Sequence, residues 1–168
     1  MIFTCKTTNL NKAIQTVQRA ISSKPSTPIF SGIHLIADNN ILEIQAMDLN
    51  MAIACSIEAE IQEKGEIVVS AKHFSELMRK LPGENVTIVK NKEEKTINVQ
   101  SDKSDFQLLL MNEDDYPKFP EFNADKQIVL EDEKIKELIK KTIFACSTDE
   151  EQAPFSALPC CHWHCHGY

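Results

Sequence analysis

The stretch Asn9–Ser22, NLNKAIQTVQRAIS, decides how the rest of the chain is read. On a helical wheel Leu10, Ala13, Ile14, Val17, Ala20 and Ile21 fall on one side. Lys12 and Arg19, seven residues apart, point the opposite way, with Gln15 and Thr16 beside them and no acid on that face. Such a helix needs an apolar surface to lie on and turns a basic surface outward. Asn9 is the expected N-cap. The helix is expected to stop near Ser22, because Lys24-Pro25 and Thr27-Pro28 follow and a residue before proline is pushed out of the helical region.

The layout recurs. In Ala71–Leu81 the apolar side is Phe74, Leu77, Met78 and Leu81, with Lys72, Arg79 and Lys80 opposite; Ser70 is the expected cap and Pro82-Gly83 the stop. In Lys134–Cys146, Ile135, Leu138, Ile139 and Thr142 read as inward and Lys136, Lys140 and Lys141 as outward. Lys and Arg on the solvent face of one helix are ordinary. Three such helices in a chain of net charge −7 are segregated positive charge, and that suits a phosphate backbone.

Between the helices the pattern is that of strands: Met1–Lys6, Ile29–Ala37, Ile41–Met47, Met51–Ile61, Glu66–Val69, Val86–Val89, Thr96–Gln100 and Phe106–Met111. Asp38-Asn39-Asn40 and Asp48-Leu49-Asn50 read as turns, since Asn and Asp tolerate positive φ. The order strand, helix, three strands occurs twice. An offset of 60 lays Ile14 on Phe74, Val17 on Leu77, Lys12 on Lys72 and Arg19 on Arg79. The fold class expected is α+β: duplicated βαβββ units with two helices packed on one side of antiparallel sheets.

Residues 1–122 form the expected first domain, and Asn112–Asp125, acidic with two prolines, reads as a linker. An offset of 125 then lays Leu10 on Ile135, Ile14 on Ile139 and Ala20 on Ala145, with Gln127–Glu131 as the matching strand. Residues 126–151 are thus the start of a second copy. A strand and a helix alone leave the helix's apolar face without the strands it needs.

Hydrophobic content of 42% and charged content of 26% are those of a soluble globular chain. No run approaches the roughly 18 apolar residues of a membrane span, and MIFTCKTTNL has no signal-peptide core, so the expected compartment is the cytoplasm. Cys5, Cys55 and Cys146 stand alone among apolar residues and read as reduced thiols. His34 and His73 lack a partner Ser or Cys in any nucleophile motif, and four glycines in all leave no phosphate-cradling loop. Enzyme chemistry is not expected.

Several segments together resemble the bacterial DNA polymerase sliding clamp, the beta subunit of DNA polymerase III. They are MIFTC at the start, the helix Leu10–Ile21, KPSTPIF at Lys24–Phe30, AMDLNMAI at Ala46–Ile53, VSAKHFSELMRKLP at Val69–Pro82 and DYPKFP at Asp115–Pro120. The similarity runs over residues 1 to about 150. It implies a DNA-clamp fold with helices lining a ring around duplex DNA, no cofactor and no catalysis. The implied partners are a second clamp subunit, DNA polymerase III and the clamp loader. The family's DNA-contacting positions carry over onto Lys24 and Lys72. Lys12, Arg19, Arg79, Lys80, Lys140 and Lys141 join them by the wheel argument.

The resemblance stops near Gln152, so the chain is expected to be a truncated clamp lacking the third domain. Residues 152–168 read as an unstructured extension ending CCHWHCHGY. Cys160, Cys161, His162, His164, Cys165 and His166 are ligand types for zinc or copper, but their spacing is not that of a zinc finger. The alternatives to a working clamp subunit are a non-functional fragment and a small interaction or metal-binding module.

Overall fold

The computed structural model describes residues 1–22, 25, 27–91, 94–120 and 131–145. They belong to two units, Met1–Pro120 and a second that begins at Glu121.

In the first unit β1 (Ile2–Lys6) runs directly into α1 (Thr7–Val17), and Gln18–Ala20 tighten into a 3-10 turn. Strands β2 (Gly32–Asp38), β3 (Ile41–Met47), β4 (Ala52–Glu58), β5 (Glu60–Glu63) and β6 (Gly65–Ser70) follow. Then come α2 (Ala71–Lys80), β7 (Asn85–Asn91), β8 (Thr96–Ser101) and β9 (Ser104–Met111). All strand pairs are antiparallel, in the order β4-β3-β2-β6-β9-β8-β7-β1-β5. The two ends of that row, β4 and β5, are consecutive in sequence. The sheet therefore turns back on itself at Ala59, which is buried and donates its N–H to Asn40 O at 3.1 Å.

Successive strand side chains point to opposite faces. One face of every long strand feeds a single core: Ile33, Leu35 and Ala37 of β2, Leu42, Ile44 and Ala46 of β3, Ile67 and Val69 of β6, Val86 and Ile88 of β7, and Ile97 and Val99 of β8. Leu10, Ile14 and Val17 of α1 and Phe74 and Met78 of α2 complete it, so both helices lie on one face. Each of the Val, Leu, Ile, Phe and Met side chains contributes roughly 1.5–3 kcal/mol by leaving water. The helices touch each other as well, and Asn11 Nδ2 donates to Met78 O at 2.9 Å.

The duplication is present, but its register differs from the offset of 60. β1 ends at Lys6 and α1 starts at Thr7, while β6 ends at Ser70 and α2 starts at Ala71. That offset is 64. It superposes buried Thr7, Leu10, Ile14 and Val17 on buried Ala71, Phe74, Met78 and Leu81. A helix repeats its apolar stripe every turn, so a slip of four residues leaves the pattern almost unchanged. Lys12 and Arg19 are therefore not the counterparts of Lys72 and Arg79.

Other boundaries differ for local reasons. Asn9 sits inside the first turn of α1, and the Thr7 N–H is satisfied by Glu84 O at 2.8 Å instead of by a cap side chain. Ser70 occupies the N-cap position of α2 without a side-chain bond. Ile29 and Phe30 lie in a 3-10 turn, Pro28–Ser31, started by proline's fixed φ, and β2 begins only at Gly32. The expected strand Met51–Ile61 is two strands broken at Ala59, and the second of them, β5, runs on to Glu63. Asn39 and Asn40 hold φ of 48° and 62°, as the turn reading requires. Asn112–Pro120 belongs to the first unit and is no free linker: Tyr116 is buried against Met47 and Val68 on the sheet face away from the helices.

In the second unit α3 (Asp132–Thr142) is followed by a 3-10 turn at Ile143–Ala145. This repeats α1 and its turn residue for residue at the offset of 125. Residues 121–130 and 146–168 lie outside the described residues, and with them all but the last residue of the expected strand at 127–131. Leu138 is 59% and Phe144 83% exposed.

Candidate nucleic-acid interface

The packing of α1 and α2 fixes which side chains reach solvent. With Leu10, Ile14 and Val17 pointing into the core, Lys12 and, on the 3-10 turn, Arg19 are exposed. With Phe74 and Met78 pointing in, Lys72, Arg79 and Lys80 are exposed. Gln18 to Ala20 wind more tightly than an α-helix, which rotates Arg19 away from the straight seven-residue alignment with Lys12. Between the helices runs a shallow groove of about 200 Å³ lined by Asn11, Ile14, Gln15, Gln18, Ser75 and Arg79. Arg79 therefore stands over the helix–helix seam, with neutral amides from α1 across from it.

The charge census is uneven. Thr7–Ala20 and Ala71–Lys80 hold five cations and one acid, Glu76. The other residues hold 13 cations and 24 acids (18 less five, 25 less one). Among the described residues none of the five helical cations sits in an ion pair. Elsewhere Lys64 is paired with Asp38, and Lys90 with Glu113 at 2.8 Å. Exposed Lys95 and Lys103 are also unpaired among the described residues, but they stand singly in turns. Long side chains projecting from neighbouring helices give a surface that meets phosphates without a base-reading geometry.

The remaining expected positions are distributed differently. Lys24 lies outside the described residues. Lys140 and Lys141 are on α3, which belongs to the other unit. Lys141 is paired with Glu137 at 2.6 Å, Lys134 with Glu131 at 2.9 Å and Lys136 with Asp132 at 3.9 Å, so α3 offers a mixed surface. Cys160, Cys161, His162, His164, Cys165 and His166 also lie outside the described residues. Sequence reasoning missed Asn11, Gln18 and Ser75 as groove residues. The available signal was polar residues at positions bordering the apolar stripe, which read as ordinary until a second helix is placed beside them.

The duplicated α+β domain, with two helices side by side on one sheet face, is shared with solved structures of DNA polymerase sliding clamps. A clamp structure from Bacillus subtilis superposes with a TM-score of 0.86 at 30% identity, covering 91% of this chain and 42% of that one. One from Streptococcus pyogenes gives 0.84 at 25% identity, covering 91% and 42%. Among curated relatives, the beta sliding clamp of B. subtilis is 32% identical over 158 residues, 89% of this chain and 42% of the relative. That of Staphylococcus epidermidis is 31% identical over the same shares. Residues 1–120 match the family described as DNA polymerase III beta subunit, N-terminal domain. The chain belongs to that family, and it spans about two-fifths of the length of the relatives it matches.

Proposed function

We propose that the chain acts as the N-terminal domain of a DNA sliding clamp, a processivity factor whose helical layer lies along the phosphate backbone of duplex DNA. The observation that carries the reading is the concentration of five exposed cations, unpaired among the described residues, on α1, its 3-10 turn and α2 within an otherwise acidic chain. Such a layer attracts a polyanion at any sequence, while the acids elsewhere discourage binding in other orientations. Lys24, through its place in the KPSTP stretch, and Lys140 and Lys141, through the helix at the offset of 125, are further candidates for phosphate contact, Lys141 being shared with Glu137. The role is non-catalytic and the compartment the cytoplasm; no helix among the described residues is long and apolar enough to cross a membrane.

The partners implied are a second clamp subunit, DNA polymerase III and the clamp loader. A strand edge supports the first. Among the described residues, positions 104–109 of β9 pair with β8 only, and exposed Phe106 and Leu109 stand on that strand. An edge of this kind accepts a strand from another chain.

The test is duplex binding by fluorescence anisotropy at low salt. Lys72→Glu with Arg79→Glu should weaken binding at least tenfold while the circular dichroism spectrum is unchanged. Binding that survives the double reversal, or that prefers one DNA sequence, would reject the reading.

A further inference from the structure

Asn112–Pro120 is held to the first unit by two separate fastenings, the Tyr116 one on the sheet face opposite α1 and α2. The first is ionic. Lys90 Nζ donates to both carboxylate oxygens of Glu113, at 3.0 and 2.8 Å, and to Glu66 O at 3.1 Å. These three bonds use every N–H of the ammonium group. Lys90 is itself fixed, since it lies on β7 and its backbone N–H donates to Met1 O at 2.9 Å. The second fastening is apolar. Tyr116 is buried against Met47 and Val68, with Ile29, Phe30, Ala52, Met111 and Phe119 packed around them. Its ring lies 5.1 Å from that of His34, centroid to centroid, tilted by 50°. His34 Nε2 in turn meets Glu66 Oε2 at 3.0 Å.

Both fastenings converge on Glu66 of β6: its carbonyl anchors Lys90 and its carboxylate anchors His34. Between them the chain is folded on itself, with Tyr116 N–H donating to Glu113 O at 3.1 Å and Asn112 Nδ2 to Asp115 Oδ2 at 2.9 Å. A merely connecting segment needs neither a fully used ammonium group nor a buried tyrosine.

We propose that Asn112–Pro120 is a latched strap, with Lys90–Glu113 as its latch and Tyr116 as its plug, and that Lys90, Glu113 and Tyr116 are positioning residues that set the point where the chain leaves this unit. The strap is tied to β7 through Lys90 and to β3 and β6 through Tyr116, so it is held at two places after the end of β9. Whatever follows Pro120 starts from a defined place on the domain. The proposal rests on contacts within the first unit and stands apart from the DNA-binding reading.

Lys118, exposed and followed by Phe119, supplies the readout. Limited trypsin digestion of the full chain, with cleavage after Lys118 followed by mass spectrometry, reports strap opening. Glu113→Gln and Lys90→Met should each raise that cleavage rate about five- to tenfold. Hydrogen exchange in β2, β3 and β8 should stay unchanged. Lys64→Met, which removes the Lys64–Asp38 ion pair, should leave the rate as it is. The proposal is overturned if neither latch variant accelerates the cut, if Lys64→Met accelerates it equally, or if acceleration comes only with faster exchange throughout the strands. Duplex binding measured on the same variants separates the two readings, because a released strap leaves the helical cations in place.

Discussion

Gly83 stands at φ +101° just after α2, and a Cβ there would lie 2.7 Å from Asp102 Oδ2 and from Ser101 Oγ. The Ser101 hydroxyl is already committed to this turn, reaching Pro82 O and Asn85 O. Gly83→Ala should therefore cost about 1–3 kcal/mol, from the unfavourable φ and the displaced hydroxyl together, read as a lowered urea midpoint. Tyr116 gives a residue-scale prediction in pH. Burial pushes its phenol up to about 12, with the Met47 backbone acting in the opposite sense. A raised folded value means that the neutral form is the one the fold favours. The contribution is complete below the ordinary phenol range near pH 10 and is lost as pH climbs toward 12. Cys5, pushed up to about 12 by burial, adds a loss of the same sign that begins nearer pH 9. The difference in melting temperature between wild type and Tyr116→Phe isolates the phenol. It should be small at pH 8, because the buried hydroxyl has no well-formed hydrogen bond, and should widen in favour of Phe above pH 10. A difference that does not change with pH would count against a buried phenol.

At the scale of elements, what is legible in the sequence is whatever depends on local period. β3 stands at Ile41–Met47 as its alternation predicts, and the turn at Asn39-Asn40 follows from the two residues most tolerant of positive φ. The helix at offset 125 is equally legible, since α1 and α3 share length and terminal turn. The elements that escape are fixed by contacts distant in sequence. The corner at Ala59 exists because β4 pairs with β3 while β5 pairs with β1. Thr7 can begin α1 because Glu84, 77 residues away, supplies a carbonyl for its N–H. The same distance problem hides the groove residues of the candidate interface, where Arg79 of α2 and Gln15 and Gln18 of α1 line one groove. The five helical cations, by contrast, can be read directly, because their exposure follows from the apolar stripe alone. The start of α1 can be checked by a pair of substitutions. Asn9→Ala, an exposed position inside the helix, should change stability by less than about 0.5 kcal/mol. Leu10→Ala, fully buried beside it, should cost about 2–5 kcal/mol. A cost for Asn9→Ala above about 1 kcal/mol would reinstate it as the cap.

For the whole molecule the question is whether position or total charge would govern the proposed contact with DNA, and two reversals of equal size can separate these. Lys72→Glu with Arg79→Glu takes the net charge from −7 to −11, since each reversal subtracts two. Lys95→Glu with Lys103→Glu does the same at two exposed cations in the β7–β8 and β8–β9 turns, off the helices. If the molecule met DNA through its average field, both variants would weaken binding alike. If contact runs through the helical layer, only the first removes phosphate contacts. On duplex DNA the logarithm of affinity falls with the logarithm of salt by about 0.9 per phosphate neutralised, so losing two contacts should flatten that slope by about 1.8. The turn variant should keep the wild-type slope, with at most a small uniform drop in affinity from the added long-range repulsion, itself fading at high salt. Measuring both slopes on one duplex between about 50 and 200 mM salt settles the point. Equal flattening in the two variants would mean that the sorted cations of α1 and α2 are a solvated face and no more.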